Sequence, residues 1–193
     1  MAPKIKVTKQ EIISAALDIV REYGSNNLNA RSVAANLGCS TQPIFSNFQT
    51  MDELTNATLL AAYEVYGNFI RSELSSGKYP EYKAFGMAYV RFAKEECELF
   101  KLLFMCDRKG ADILPTADFD ASIKIIMNNS GLSKERATLL HLEMWTFVHG
   151  IGAMLSTSYL TFEHELISSM LTDVYQGILH RHLLEEENAS NKN

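Results

Sequence analysis

Residues 30–48 leave this chain few ways to fold: Ala30-Arg31-Ser32-Val33-Ala34-Ala35-Asn36-Leu37-Gly38-Cys39-Ser40-Thr41-Gln42-Pro43-Ile44-Phe45-Ser46-Asn47-Phe48. Val33, Ala34 and Leu37 make one apolar stripe, and Ile44 and Phe48, four residues apart, make a second, so the stretch reads as two short helices. Gly38 stands where a positive φ would end the first of them. Ser40 is placed to cap the second. Counted from Ser40, Pro43 is the third helical residue, where its missing N–H breaks no intrahelical bond. The exposed first turn then offers Thr41 and Gln42 to a partner. Two short helices packed at a steep angle, the second projecting polar side chains, describe a helix-turn-helix whose second helix enters a DNA groove.

A third helix precedes this pair. Thr8-Lys9-Gln10-Glu11 forms a capping box, and Ile13, Ala16, Leu17 and Val20 follow at helical period. Gly24 after Tyr23 closes that helix, and Asn29 caps the next. The predicted core of the three is Ile13, Leu17, Val20, Val33, Leu37, Ile44 and Phe48. Thr50-Met51-Asp52-Glu53 is a second capping box and opens a long helix to about Ser75. Breaks at 76–80, 109–115, 128–131 and 159–161 leave further helical segments near 82–105, 117–128, 133–158 and 162–184. No alternating pattern requires a strand. The expected fold class is all-α: a three-helix helix-turn-helix DNA-binding domain over residues 1–50, then a larger helical ligand-binding and dimerisation domain over 51–193.

Charge supports the division. The chain carries a formal −5, which alone argues against nucleic acid. Residues 1–50 hold five basic and three acidic side chains, a net +2, so the remainder carries −7. A mildly basic head on an acidic body suits a DNA-reading end on a regulatory body. No apolar run approaches the roughly 20 residues that span a bilayer, and the N-terminal lysines lack the apolar core of a secretory signal. No membrane partner is expected, and the location expected is cytoplasmic. Cys39, Cys97 and Cys106, widely spaced and odd in number, read as buried reduced thiols. Residues 185–193 read as a frayed polar tail.

The head resembles the DNA-binding domain of the TetR family of transcriptional repressors over about residues 8–54. The residues that carry the likeness are Tyr23-Gly24, Asn29 to Ala34, Leu37-Gly38-Cys39-Ser40, Ile44 to Phe48 and Asp52-Glu53-Leu54. Trp145-Thr146-Phe147-Val148-His149-Gly150 is similar, more weakly, to a signature of one group of TetR C-terminal domains. The resemblance implies a homodimer that sets one recognition helix in each of two successive major grooves of a near-palindromic double-stranded operator. It implies a four-helix interface from the last two long helices of each subunit, about 133–158 and 162–184. A small-molecule effector bound to the body would change the separation of the heads and release the operator.

On that footing Thr41, Gln42, Ser46 and Asn47 are candidates for base edges, since Gln and Asn pair bidentately with adenine and Thr offers a methyl and a hydroxyl. Asn29, Arg31 and Ser40 are candidates for phosphates. Lys4 and Lys6 would add contacts as an N-terminal arm. Two positions depart from the family pattern: Phe45 stands where a Tyr usually touches phosphate, and Met51 where a Lys usually does. These losses leave open a rival reading, a helical ligand-binding or interaction module that no longer grips DNA.

In the body, Phe104, Met105, Trp145 and His149 are the candidate ligand-binding residues. Soft and aromatic side chains between helices can line an adaptable apolar pocket, which favours a largely apolar ligand. Trp145 and His149, four apart, point the same way. No catalytic constellation, metal-ligand spacing or phosphate loop stands out, so no enzyme activity, metal or cofactor is expected. His180 and His182, two apart, face different ways.

Overall fold

The structure, a computed structural model, describes residues 7–106 and 116–190, with side chains described from 119 to 188 in the second stretch. Among the described residues there are nine α-helices and no strand: α1 Lys9–Tyr23, α2 Ala30–Asn36, α3 Gln42–Asn47, α4 Met51–Ser76, α5 Glu81–Glu95, α6 Cys97–Phe104, α7 Thr116–Ser130, α8 Lys134–Ser156 and α9 His164–Ser190. A single 3-10 turn, Ser25–Asn27, joins α1 to α2. The all-α class follows the reading of the sequence.

The starts of the helices are set locally. Glu11 N–H donates to Thr8 Oγ1 at 3.2 Å, and Thr8 N–H donates to Glu11 Oε2 at 2.8 Å, so the first capping box is present. Those bonds, the backbone one foremost, hold the Glu11 carboxyl below its usual range. The second box is displaced by one residue. Glu53 N–H donates to Thr50 Oγ1 at 3.2 Å, but the Glu53 carboxylate accepts from Gln49 N–H at 2.8 Å. Ser40 does not cap α3. The N-cap is Thr41, in a helical conformation and without a side-chain cap bond. An N-cap side chain accepts from the second or third helical N–H, and here the second residue is Pro43, which has none.

The buried face of α1 is turned one residue from the expected one. Ile12, Ala15, Ala16, Ile19 and Val20 are buried, while Ile13 and Leu17 are half-buried. Both Ile12 and Ile13 begin an apolar i, i+3, i+4, i+7 series, so periodicity could not choose between them. The expected single helix over 82–105 is interrupted at Glu96, whose φ of −124° and ψ of 54° are not helical. The polar tail is also corrected as far as Ser190. α9 runs through Glu185, which pairs with Arg136 and Arg181, and Glu186, which accepts from Ser133 Oγ at 3.1 Å.

The helices group into two compact units. One comprises residues up to Asn68 together with Glu95–Cys106; the other runs over Phe69–Lys94 and from Asp107 onward. By contact, α4 as far as Asn68 and all of α6 group with the three-helix head. In the first unit Ile12, Ala15, Ala16 and Ile19 of α1 pack with Val33, Ala34, Ile44, Phe48 and Leu54. Leu37 is only partly buried against that cluster. α6 packs on α1, and Arg21 grips Glu96 with two bonds of 2.9 Å from Nε and a terminal guanidinium nitrogen. In the second unit α7 packs on α8 and α8 on α9. There Gly86 lets α5 approach closely, since a Cβ at that position would lie 3.4 Å from Leu171 Cδ1 and 3.7 Å from Val148 Cγ2.

Candidate nucleic-acid interface

The head builds its exposed face from two helix starts. Asn29 opens α2: its Oδ1 accepts from the N–H groups of Arg31 and Ser32, both at 3.0 Å, and its own N–H donates to Ser32 Oγ at 3.1 Å. Its Nδ2 donates to Asn27 O at 3.1 Å. The amide is therefore occupied in shaping the turn that aims Arg31. Gly38, at φ +63°, turns the chain from α2 toward α3. α3 is pinned by the fully buried Ile44 and by Phe48 behind it, which leaves Gln42, Phe45 and Ser46 exposed on its outer side.

Between the two helices lies an open depression of about 500 Å³, lined by Asn29, Ala30, Arg31, Thr41 and Phe45. Three candidate residues, Asn29, Arg31 and Thr41, come together there. Arg31 is exposed and, among the described residues, makes no ion pair. Lys9, by contrast, is engaged by Glu53 at 3.4 Å and lies over the Phe48 ring, 4.7 Å from its centroid.

The other candidates are placed differently. Gln42 is exposed at the start of α3. Ser46 Oγ donates to Gln42 O at 2.9 Å, within the helix. Asn47 is partly buried, and its Nδ2 donates to Pro43 O at 2.9 Å and to Val7 O at 3.3 Å, tying α3 to the segment before α1. Ser40 is exposed in the turn. Lys4 and Lys6 lie outside the described residues. Met51 packs partly buried against the head core, so the position that lacks the family's lysine serves packing. Sequence reasoning treated Phe45 only as a lost hydroxyl. It is 49% exposed and forms one wall of the depression. The available signal was an aromatic residue three after Gln42, off the Ile44–Phe48 stripe.

The candidate ligand residues fall in different units. Phe104 belongs to the first, where its ring meets Tyr63 and Tyr66 edge-on at 6.3 and 5.4 Å, and Met105 follows it, 44% exposed. Trp145 and His149 belong to the second, their rings 6.1 Å apart on α8. His149 Nδ1 meets the Tyr89 hydroxyl at 2.8 Å, and burial lowers its pKa. A similar pair went unforeseen: the Tyr82 hydroxyl lies 2.9 Å from His141 Nδ1, with Phe119 stacked edge-on at 4.8 Å. Burial holds His141 down to about 4 and pushes the Tyr82 phenol up.

His182 is buried on α9, with Nε2 3.0 Å from Glu143 Oε2. Burial raises the Glu143 carboxyl, but bonds from His182 and Arg181 outweigh it and the net shift is downward. Cys39 and Cys97 are partly buried, and Cys106 is exposed rather than buried as expected. No helix among the described residues is long and apolar enough to cross a membrane.

No family model and no curated relative matches the chain. Solved structures do. A member of the TetR family from Streptomyces coelicolor A3 is 20% identical at a TM-score of 0.62, covering 86% of this chain and 96% of that one. The multidrug binding protein EbrR, complexed with imidazole, is 18% identical at 0.60, covering 86% and 93%. A TetR variant from Acinetobacter baumannii AYE, in complex with minocycline, is 14% identical at 0.55, covering 91% and 96%. In helix order and chain path alike, this chain has the fold of the TetR-family transcriptional regulators.

Proposed function

We propose that the chain is a DNA-binding transcriptional regulator of TetR type, a homodimeric repressor that leaves its operator when a small, largely apolar ligand binds. The observation that carries the reading is the depression between α2 and α3, where an uncompensated Arg31 faces the exposed outer side of a helix pinned by Ile44 and Phe48. Gln42 is the foremost base-reading candidate and Arg31 the foremost phosphate ligand, with Thr41, Ser46, Asn47, Asn29, Ser40 and Lys6 around them.

Pairing through α8 and α9 is supported by the large apolar side chains these helices leave exposed, Leu139, Leu166, Leu183 and Leu184. It is also supported by Gly150 and Gly177, where an added Cβ would meet nothing within 4 Å. The ligand reading is supported by the aromatic and imidazole groups of the body and by the small molecules in the two relatives named above. Phe104, Met105, Trp145 and His149 are its candidate contacts. Such a ligand must bind the operator-free conformation better, because equal affinity for both would shift nothing.

The test is selection of duplexes from a random pool by the purified full chain, followed by footprinting. The expected product is a near-palindrome with half-site centres about one helical turn (34–36 Å), or a multiple of it, apart. No enrichment even at low salt would overturn the reading. Mass spectrometry of compounds that co-purify, and their effect on the footprint, tests the release step.

A further inference from the structure

Beside the turn that joins α4 to α5, two lysines share one ring. Lys78 Nζ and Lys83 Nζ each lie 5.2 Å from the centroid of the Tyr79 ring. Lys78 Nζ is also 3.3 Å from His164 Nε2, and the Tyr79 hydroxyl is 2.7 Å from the same nitrogen. That nitrogen has one lone pair or one hydrogen to offer, so the two groups compete for it. Lys83 Nζ donates to Thr172 Oγ1 at 2.7 Å, and the Thr172 hydroxyl donates onward to Ser168 O at 3.1 Å. The cluster therefore holds more hydrogen-bond donors than acceptors. It also holds uncompensated charge. Arg91, Lys101 and Arg136, half-buried like Lys83, sit on the carboxylates of Glu73, Glu98 and Glu185 respectively. Among the described residues neither Lys78 nor Lys83 has an ion pair. Glu165 and Glu73 act on Lys78 only from beyond ion-pair distance.

Two ammonium groups held beside one another without a counter-charge, in a part of the chain that is otherwise acidic, describe a site for an anion. Their chemistry sets the kind. Lysine presents a compact charge with several donors, not the planar fork that grips a carboxylate. Two lysines match the near-double charge and three acceptor oxygens of a phosphate better than the single charge and two oxygens of a carboxylate. We propose that Lys78 and Lys83 bind the phosphate group of a small molecule, the free ion or a monoester, beside the Tyr79 ring. Lys78 then turns to the phosphate and leaves His164 Nε2 to the Tyr79 hydroxyl, which ends the competition for that nitrogen. The site lies within the second unit and does not rest on the DNA-binding reading.

The experiment titrates the full chain, without DNA, with inorganic phosphate, methyl phosphate, acetate and chloride at pH 7.5 and matched ionic strength. The readout is the His164 ring resonances, identified by their loss in His164→Gln; a local signal separates this site from the cations of the head. Phosphate is expected to shift them saturably and chloride not at all, with acetate about tenfold weaker than phosphate. Lys78→Met and Lys83→Met keep a straight stem beside Tyr79. Each is expected to weaken phosphate binding about tenfold, the worth of one charge-assisted hydrogen bond. Lys83→Arg, which keeps the charge, should retain it. Methyl phosphate binding at least as tightly as the free ion would assign the site to a monoester, and weaker binding would assign it to phosphate itself. No saturable shift with either phosphate, an equal response to acetate or chloride, or full affinity in either methionine variant would overturn the proposal. With no DNA present, none of these results bears on operator binding.

Discussion

The buried Tyr82–His141 pair predicts a specific acid sensitivity of the fold. His141 Nδ1 lies 2.9 Å from the Tyr82 hydroxyl, and the Phe119 ring packs edge-on at 4.8 Å. In the neutral tautomer with its proton on Nε2, Nδ1 accepts the Tyr82 O–H. The imidazolium has only donors, so protonation both charges a partly buried ring and removes that acceptor. Burial holds the folded value at about 4 against an ordinary 6.5. The unfolded chain therefore binds the extra proton first as pH falls. Stability is undiminished above about 6.5, falls between 6.5 and 4, and levels off below. At pH 5 the undiscounted loss is about 2 kcal/mol, and partial exposure of the ring screens it to about 1 kcal/mol.

The assay is urea denaturation at pH 7.5 and pH 5, at fixed protein concentration, of wild type and His141→Asn. The asparagine keeps an acceptor near Tyr82 but does not titrate. Wild type is expected to lose about 1 kcal/mol more than the variant on acidification. His149, also shifted down by burial, titrates in both proteins and cancels in the difference. Equal losses in the two proteins, or a larger loss in the variant, would refute the reasoning.

Two further outcomes follow from the head. Asn29→Ala should cost about 1 kcal/mol of stability through loss of the cap, whereas Asn29→Asp should keep the cap and the melting temperature. The new carboxylate beside Arg31 should nevertheless weaken DNA binding; an Asp variant that binds as tightly as wild type would remove Asn29 from the DNA-facing surface. A double-mutant cycle on Arg21→Ala and Glu96→Ala should return a coupling near 1 kcal/mol. The pair is bidentate, and the Glu96 side chain is only 19% exposed; zero coupling at low salt would show that α6 is held to α1 by apolar packing alone.

Much of the head was legible because its signals are local. The Thr8–Glu11 box, the Asn29 cap and the positive φ at Gly24 and Gly38 each involve residues within about four positions of one another. The apolar period fixed which segments are helical. It did not fix the rotation of α1, because Ile12 and Ile13 open equally apolar series and only the position of Val33, Ile44 and Phe48 selects one. The polar candidates on α3 were legible as a set but not in their roles. Whether Asn47 faces a partner or braces its own helix depends on Val7, forty residues away. Chemistry alone made candidates of both Gln42, which is exposed, and Asn47, which is tied to backbone carbonyls.

By itself, the amino-acid sequence determined that this chain is helical, where α1 and α2 begin, and that a short turn presents a polar helix start; backbone capping and residue period act over a few positions and need nothing distant. Only the tertiary structure decided that α6 belongs with the head through Arg21 and Glu96. It alone gathered Arg31, Thr41 and Phe45 around one depression, and set Tyr82 against His141. Each of those outcomes depends on which side chains lose water together, and that is settled by packing between elements far apart in the chain.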